Sequence, residues 1–351
     1  MKNEENDFAY FFNELINSAY NDYNSITFSS SEIKALVFSN SINLHRVNDT
    51  RKCSVKYCRK KAVMSHLFQE SILRKIASAG HLIAPNVDLK KIKVELMEVG
   101  VNRAFTFPGF CKEHENLFEY ERKESIEFEQ ELRFLIYKNV CYHQVFWDVA
   151  VKKTVTAMNR AVEKKHSKFE NIFGNKYSEV FADLGIDLEK MWFPDLIQEH
   201  YQKDLKDRKK EIFRISKFKN QIWEDIKHNK DKNIRSYVVE LSSSIPIFLS
   251  YNGELTIKYK RKYFKHPVNY IVHPFKNSTI VVFSVASSHF KLLKETLGCF
   301  SAIEIVQFIC HSMVYVSDNW LVNPDFYNRL YPLALREIIE SAHTLPIPRS
   351  E

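Results

Sequence analysis

Residues Arg51 to Glu70 read RKCSVKYCRKKAVMSHLFQE, which sets two cysteines inside a basic run and follows them with a Ser-His pair. Cys53-x4-Cys58 is matched further along by Cys111-x2-His114. Each pair has the short spacing that lets one backbone knuckle present two side chains to a tetrahedral zinc ion. Thiolates with an imidazole select zinc over magnesium or calcium, and a crosslink of this kind stabilises a small unit with few core residues. The 52 residues between the pairs leave the other reading open, in which the cysteines are free thiols and His114 is a surface residue.

The rest of the chain surrounds this stretch with long regular elements. It has 351 residues, 45% hydrophobic and 27% charged, with only seven glycines and ten prolines, a balance that predicts a globular protein dominated by helices. No apolar run approaches the roughly 18 residues needed to cross a bilayer, and the start, MKNEENDFAY, is acidic where a secretory signal is basic. A cytoplasmic protein without a membrane partner is expected. Cys141, Cys299 and Cys310 lie in apolar helical contexts and are assigned to packing.

The texture divides the chain into residues 1–50, an amphipathic helix and a Ser-rich connector; 51–124, the cysteine unit; 125–232, a helical arm or bundle; and 233–351, strands followed by helices. In the second segment a helix over LFQESILRKIASAG is expected to stop at Gly80, and another to begin near CKEHENLFEYER. One long helix is predicted from Ser125 to Ile172 and a second from Leu196 to His228, after breaks at Gly174, Gly185 and Pro194. Asn252-Gly253 between alternating runs predicts a hairpin, and Asn323-Pro324 has the form of a helix start. The expected class is α+β, predominantly helical, with an N-terminal treble-clef finger, a long helical connector and a C-terminal antiparallel sheet with helices.

The order Cys-x4-Cys, Ser65-His66, then Cys111-x2-His114-Glu115-Asn116 resembles zinc-stabilised nucleases of the HNH, or His-Me finger, type. That resemblance implies four structural zinc ligands, a general base at His66 acting beside a catalytic Mg²⁺ or Mn²⁺, and Asn102 or Asn116 as the middle residue. Ser65 stands where the usual neighbour of that histidine is acidic, and Glu115 and Asn116 stand where a metal-binding histidine is expected. Ser65 capping the following helix, with His66 buried or completing the zinc shell, is the alternative. Residues Cys53 to Tyr137 also resemble a group of uncharacterised bacterial proteins with a similar Ser-His and FCxxH close, which implies a phage-related setting of genome defence.

A net charge of +8 suits an anionic partner. The Lys203–Arg235 region interleaves cations with Asp204, Asp207, Glu211, Glu224 and Asp225 and reads as a salt-bridged helical arm. On one strand, Lys258, Lys260 and Lys262 would share a face opposite Tyr259, Arg261 and Tyr263; Lys258, Lys260, Arg261 and Lys262 are therefore candidate contacts to DNA or RNA. An edge strand guarded by lysines is the plainer explanation. There is no HExxH, phosphate-cradling Gly-rich loop or GxSxG elbow. The sequence thus predicts a zinc-binding, nucleic-acid-associated protein, a metal-dependent nuclease of anti-phage defence if catalytic, with a zinc-stabilised scaffold or sensor for oligomerisation or a protein partner as the competing class.

Overall fold

The computed structural model describes residues 2–27, 29, 44, 51–88, 93–122, 129–183, 196–259, 262–315, 317 and 319–329. Helix α1 (Lys2–Ser25) is followed by β1 (Val63–His66), α2 (Glu70–Ile76), β2 (His81–Asp88), β3 (Lys93–Gly100), β4 (Thr106–Phe110) and α3 (Lys112–Glu115), which runs into a 3-10 segment, Asn116–Arg122. The long helices α4 (Gln130–Asp183) and α5 (Leu196–His228) come next. Strands β5 (Ile234–Leu241), β6 (Ile247–Tyr259), β7 (Lys262–Pro274) and β8 (Thr279–Ala286) precede α6 (Phe290–Leu297), α7 (Ala302–Tyr315), β9 (Trp320–Val322) and α8 (Pro324–Arg329). The class is α+β, with helices the larger share. Among the described residues no single helix is long and apolar enough to cross a membrane.

The chain packs into two compact units, residues 1–41 with 150–209, and residues 42–149 with 210–351. In the first, Ala19 and Tyr23 of α1 and Ile26 just after it pack with Phe169 and Tyr177. Asp22 accepts from both Lys176 and the Tyr177 hydroxyl at the border of that patch.

The second unit is built on a seven-stranded sheet in the order β3-β2-β9-β6-β7-β8-β5, in which neighbouring strands run antiparallel. Strand alternation divides its side chains between two cores. Ile234, Phe248, Ile271, Ile280 and Val282 face one way, into a core shared with Leu67, Phe68, Phe107, Phe110 and Phe118 and with Tyr137, Val140, Ile215 and Ile222 of the long helices. Leu249, Tyr270, Val272, Val281 and Phe283 face the other way, onto Leu293, Leu297, Ile305, Ile309 and Met313 of α6 and α7. The strands β2 and β3 thus belong to the same sheet as the C-terminal strands, joined through the Ile83–Val322 pairing.

Local chemistry fixes the joints. Ser301 and Glu304 form a reciprocal cap on α7, the Ser301 amide donating to Glu304 at 2.7 Å and the Glu304 amide to Ser301 Oγ at 3.3 Å. Asn323 Oδ1 accepts from the Phe326 amide at 2.7 Å, so the Asn-Pro start is formed as expected. Buried Asp225 accepts from the amides of Asn233 and Ile234 and turns α5 into β5.

Four local expectations are corrected. Asn252-Gly253 makes no hairpin: both lie inside β6, paired with Asn269 and Val268, and the chain reverses after Tyr259. Gly253 is needed there because a Cβ would stand 2.2 Å from the Tyr251 hydroxyl, whose ring lies over it and whose O–H donates to Glu254 O at 3.0 Å. Gly174 does not break α4, since an isolated glycine costs about 1 kcal/mol and leaves the hydrogen-bond ladder intact. The helix accordingly runs on to Asp183, past the expected end at Ile172; the expected start at Ser125 lies outside the described residues, as do Gly185 and Pro194. Finally α2 ends at Ile76, and Gly80, at φ 78°, serves the tight turn in which Ser78 and His81 exchange backbone hydrogen bonds.

Candidate metal centre

The first knuckle is a turn closed by the Cys58 amide donating to Val55 O at 3.0 Å, and the Cys53 amide reaches across it to Lys60 O at 2.9 Å. Its position against the second pair is set by the Ser54 amide, which donates to Gly109 O at 2.9 Å. From the knuckle the chain enters β1, which pairs antiparallel with β4; β4 leads directly to Cys111, the residue before α3. Glycine is required at 109 because the Phe107 ring covers it, 2.5 Å from where a Cβ would stand.

This two-stranded sheet brings Cys53, Cys58, Cys111 and His114 together, with all four donor atoms within 4.8 Å of one another. His114 Nδ1 lies 3.4 Å from Cys53 Sγ and 3.3 Å from Cys111 Sγ, and the Cys58 and Cys111 sulfurs are 4.0 Å apart. A tetrahedral zinc ion at about 2.3 Å from sulfur and about 2.0 Å from nitrogen requires edges of about 3.5–3.8 Å. The separations fit that ion, and they are too long for a disulfide. Burial pushes the Cys53 thiol up to about 12, whereas Cys111 lies below its ordinary value because hydrogen bonds from the His114 backbone and the neighbouring thiols outweigh its burial. A zinc ion supplies the positive charge that lets such sulfurs exist as thiolates.

His66 is outside this shell. It is half-buried at the end of β1, and its Nε2 lies 3.1 Å from Val101 O. A carbonyl only accepts, so Nε2 carries the proton and Nδ1 keeps its lone pair. Burial first, and then the charge of Lys138, hold its pKa below the usual value. Ser65 caps no helix: α2 starts after Gln69, and Ser65 instead lies in β1, buried, donating to Glu115 Oε2 at 2.5 Å. Asn102 and Asn116 are both exposed.

The expected strand carrying Lys258, Lys260 and Lys262 on one face is not formed. Tyr259 pairs with Lys262 and Lys258 with Tyr263, which places Lys258 and Lys262 on opposite arms of a hairpin. Lys260 and Arg261 lie outside the described residues. The helical arm does carry the expected salt bridges, Asp204 to Arg208 at 2.7 Å and Glu211 to Arg214 at 2.7 Å.

Two buried polar features of α4 stand outside the sequence expectations. Lys138 is fully buried on α4, with Nζ 4.8 Å from the centroid of the Phe118 ring; a lone cation inside the apolar run FLIYKNVCYHQVF was the available signal. The buried His143 and Asn139 of the same helix both bond Ser250 Oγ of β6. Nothing local marks that cluster, because its members are more than a hundred residues apart.

Comparison with protein-family models, curated proteins and solved structures finds no match to this chain.

Proposed function

We propose that the chain is a zinc-stabilised, nucleic-acid-associated protein whose chemistry, if catalytic, is metal-assisted hydrolysis of a phosphodiester, in the genome-defence setting that its sequence resemblance implies. The observation that carries the reading is the state of His66: its Nε2 proton is committed to Val101 O, and its depressed pKa keeps the ring neutral. A neutral imidazole with an available lone pair is a general base. His66 Nδ1 would take a proton from water, the resulting hydroxide would attack phosphorus, and the P–O bond to the leaving oxygen would break. Glu115 is joined to this strand through Ser65, and a hard cation is commonly held by one or two carboxylates together with substrate phosphate. Mg²⁺ or Mn²⁺ bound there would neutralise phosphate charge.

The second reading is a non-catalytic scaffold or sensor, in which the same elements serve oligomerisation or a protein partner. It is favoured by the Ser65 hydroxyl, which already engages the Glu115 carboxylate.

Purified protein assayed on DNA and RNA with Mg²⁺ or Mn²⁺ decides between them. Catalysis predicts metal-dependent cleavage that His66→Ala lowers by about 10² or more without changing zinc content. Absence of cleavage, or cleavage indifferent to the substitution, leaves the scaffold.

A further inference from the structure

The knuckle between Cys53 and Cys58 contains two local features that oppose stability and that zinc binding does not require. The first is charge. From Arg51 to Gln69 there are six Lys or Arg and no Asp or Glu. The fold neutralises three of them: Arg51 pairs with Asp148, Lys60 with Glu113, and Lys56 lies 3.6 Å from Glu224. Lys52, Arg59 and Lys61 are exposed, and none has an ion pair among the described residues. Lys52 and Lys61 are direct partners in an antiparallel bridge, so their side chains leave the same face side by side. Like charges in that relation repel.

The second feature is Tyr57. It is the third residue of the turn closed between Val55 and Cys58, at φ 69°, where a type II turn takes glycine. A tyrosine there is strained, and it gains no core packing in return, since it is 82% exposed. Its ring faces a cation, Lys56 Nζ at 5.1 Å from the centroid. Strain at an exposed residue points to use.

We propose that this knuckle binds single-stranded nucleic acid, with a base stacked on Tyr57 and phosphates held by Lys52, Arg59 and Lys61. The inference rests on the nucleic-acid reading above and assigns it a surface. A phosphate between Lys52 and Lys61 removes their repulsion, and an aromatic ring held in water gains by covering an unstacked base. An acidic peptide would satisfy the lysines and leave the ring unused; duplex DNA has no unstacked base to offer it. From Lys61 the chain continues into β1, reaching His66 five residues later, roughly 16 Å at about 3.3 Å per residue. A strand held at the knuckle would therefore extend along β1 toward the candidate base.

The test is fluorescence anisotropy with labelled oligothymidylate and oligouridylate, using the full zinc-loaded chain without added Mg²⁺, for the wild type, a Lys52→Gln/Lys61→Gln double variant and Tyr57→Gly. The double variant should bind about tenfold or more weakly, with the slope of log K against log salt reduced by about 1.4 for two lost contacts at about 0.7 each. Tyr57→Gly should also weaken binding about tenfold. Both should keep one zinc and melt at or above the wild-type temperature, because each relieves a local strain. Wild-type affinity in the variants, or wild-type binding to duplex DNA or polyglutamate as tight as to single strands, overturns the surface and leaves the broader reading standing. A variant that loses zinc or melts lower shows that these residues serve the fold, which also overturns it. A wild type that binds no nucleic acid removes the surface and the reading together.

Discussion

Ser65 Oγ donates to Glu115 Oε2 at 2.5 Å, which joins the strand that leaves the first knuckle to the helix that carries the second. The Phe110 amide lies 3.4 Å from the same hydroxyl, so one buried oxygen serves both strands of the small sheet and the helix. Ser65→Ala leaves a carboxylate and a buried amide without this partner and should cost about 1–3 kcal/mol. Glu115→Gln, which keeps an acceptor, should cost less. Urea denaturation of the two single variants and the double variant measures the coupling; additive costs would show that the bond contributes nothing.

Zinc should be a folding ligand of the larger unit. Cys53, Val55 and Cys111 are themselves members of the core that contains Phe107, Phe110 and Tyr137, so opening the shell exposes apolar surface. Above the dissociation constant, each tenfold rise in free zinc should add about 1.4 kcal/mol of stability. Titration in a metal buffer, followed by denaturation, checks the slope. Cys58→Ser should bind zinc far more weakly and lose that dependence, while Cys299→Ser, an exposed thiol outside the cluster, should keep it.

Gly109→Ala should be more damaging than its size indicates. The new methyl would meet the ring of Phe107, which is fully buried and lies 5.3 Å from that of Tyr142, so the ring has little room to yield. Overpacking of this kind costs about 1–3 kcal/mol. The same shift disturbs the Ser54–Gly109 bond that seats the first knuckle. Weaker zinc binding should accompany the loss of stability, and a Gly109→Ala/Phe107→Leu double variant should recover part of both.

The parts of this structure that were legible beforehand are those in which local chemistry decides. The helix Leu196–His228 and the Asn323-Pro324 start lie where their sequence signals place them, and the four candidate metal ligands converge although 52 residues separate the pairs. The failures come where a distant partner overrides a local signal. Asn252-Gly253 has the composition of a turn, yet Gly253 is there to admit the ring of Tyr251, and the reversal instead follows Tyr259 in a stretch with no turn residues at all. Ser65 has the chemistry of a helix cap and spends it on Glu115, fifty residues away. The joining of β2 to the C-terminal strands through β9 depends on pairings between residues such as Ile83 and Val322, which no window of sequence contains.

Buried histidines should make the fold sensitive to mild acid. Burial, with the charge of Arg214 adding to it, lowers the His143 pKa to about 3, and burial lowers that of His273 to about 4. In the unfolded chain both return to about 6.5. Between those values the unfolded chain binds protons that the folded chain cannot, so stability rises with pH across this window. The contribution is complete above about pH 6.5 and is lost on acidification at about 1.4 kcal/mol per pH unit for each histidine, until the folded pKa is reached. His273 offers the cleaner test. Its ring lies among those of Phe68, Phe248 and Phe275; its Nδ1 donates to Pro274 O at 3.2 Å, whereas its Nε2 has no hydrogen-bond partner among the described residues, so a phenylalanine gives up one hydrogen bond and removes one orphaned buried nitrogen. His273→Phe should be neutral or stabilising at pH 7.5 and should reduce the dependence of unfolding free energy on pH by about 1.4 kcal/mol per unit between pH 6 and 4.5. Zinc release also contributes in acid as the ligands protonate, but it is common to both proteins and cancels in their difference. Urea denaturation of the pair across this range gives that difference directly; parallel curves would mean that His273 takes up its proton without unfolding.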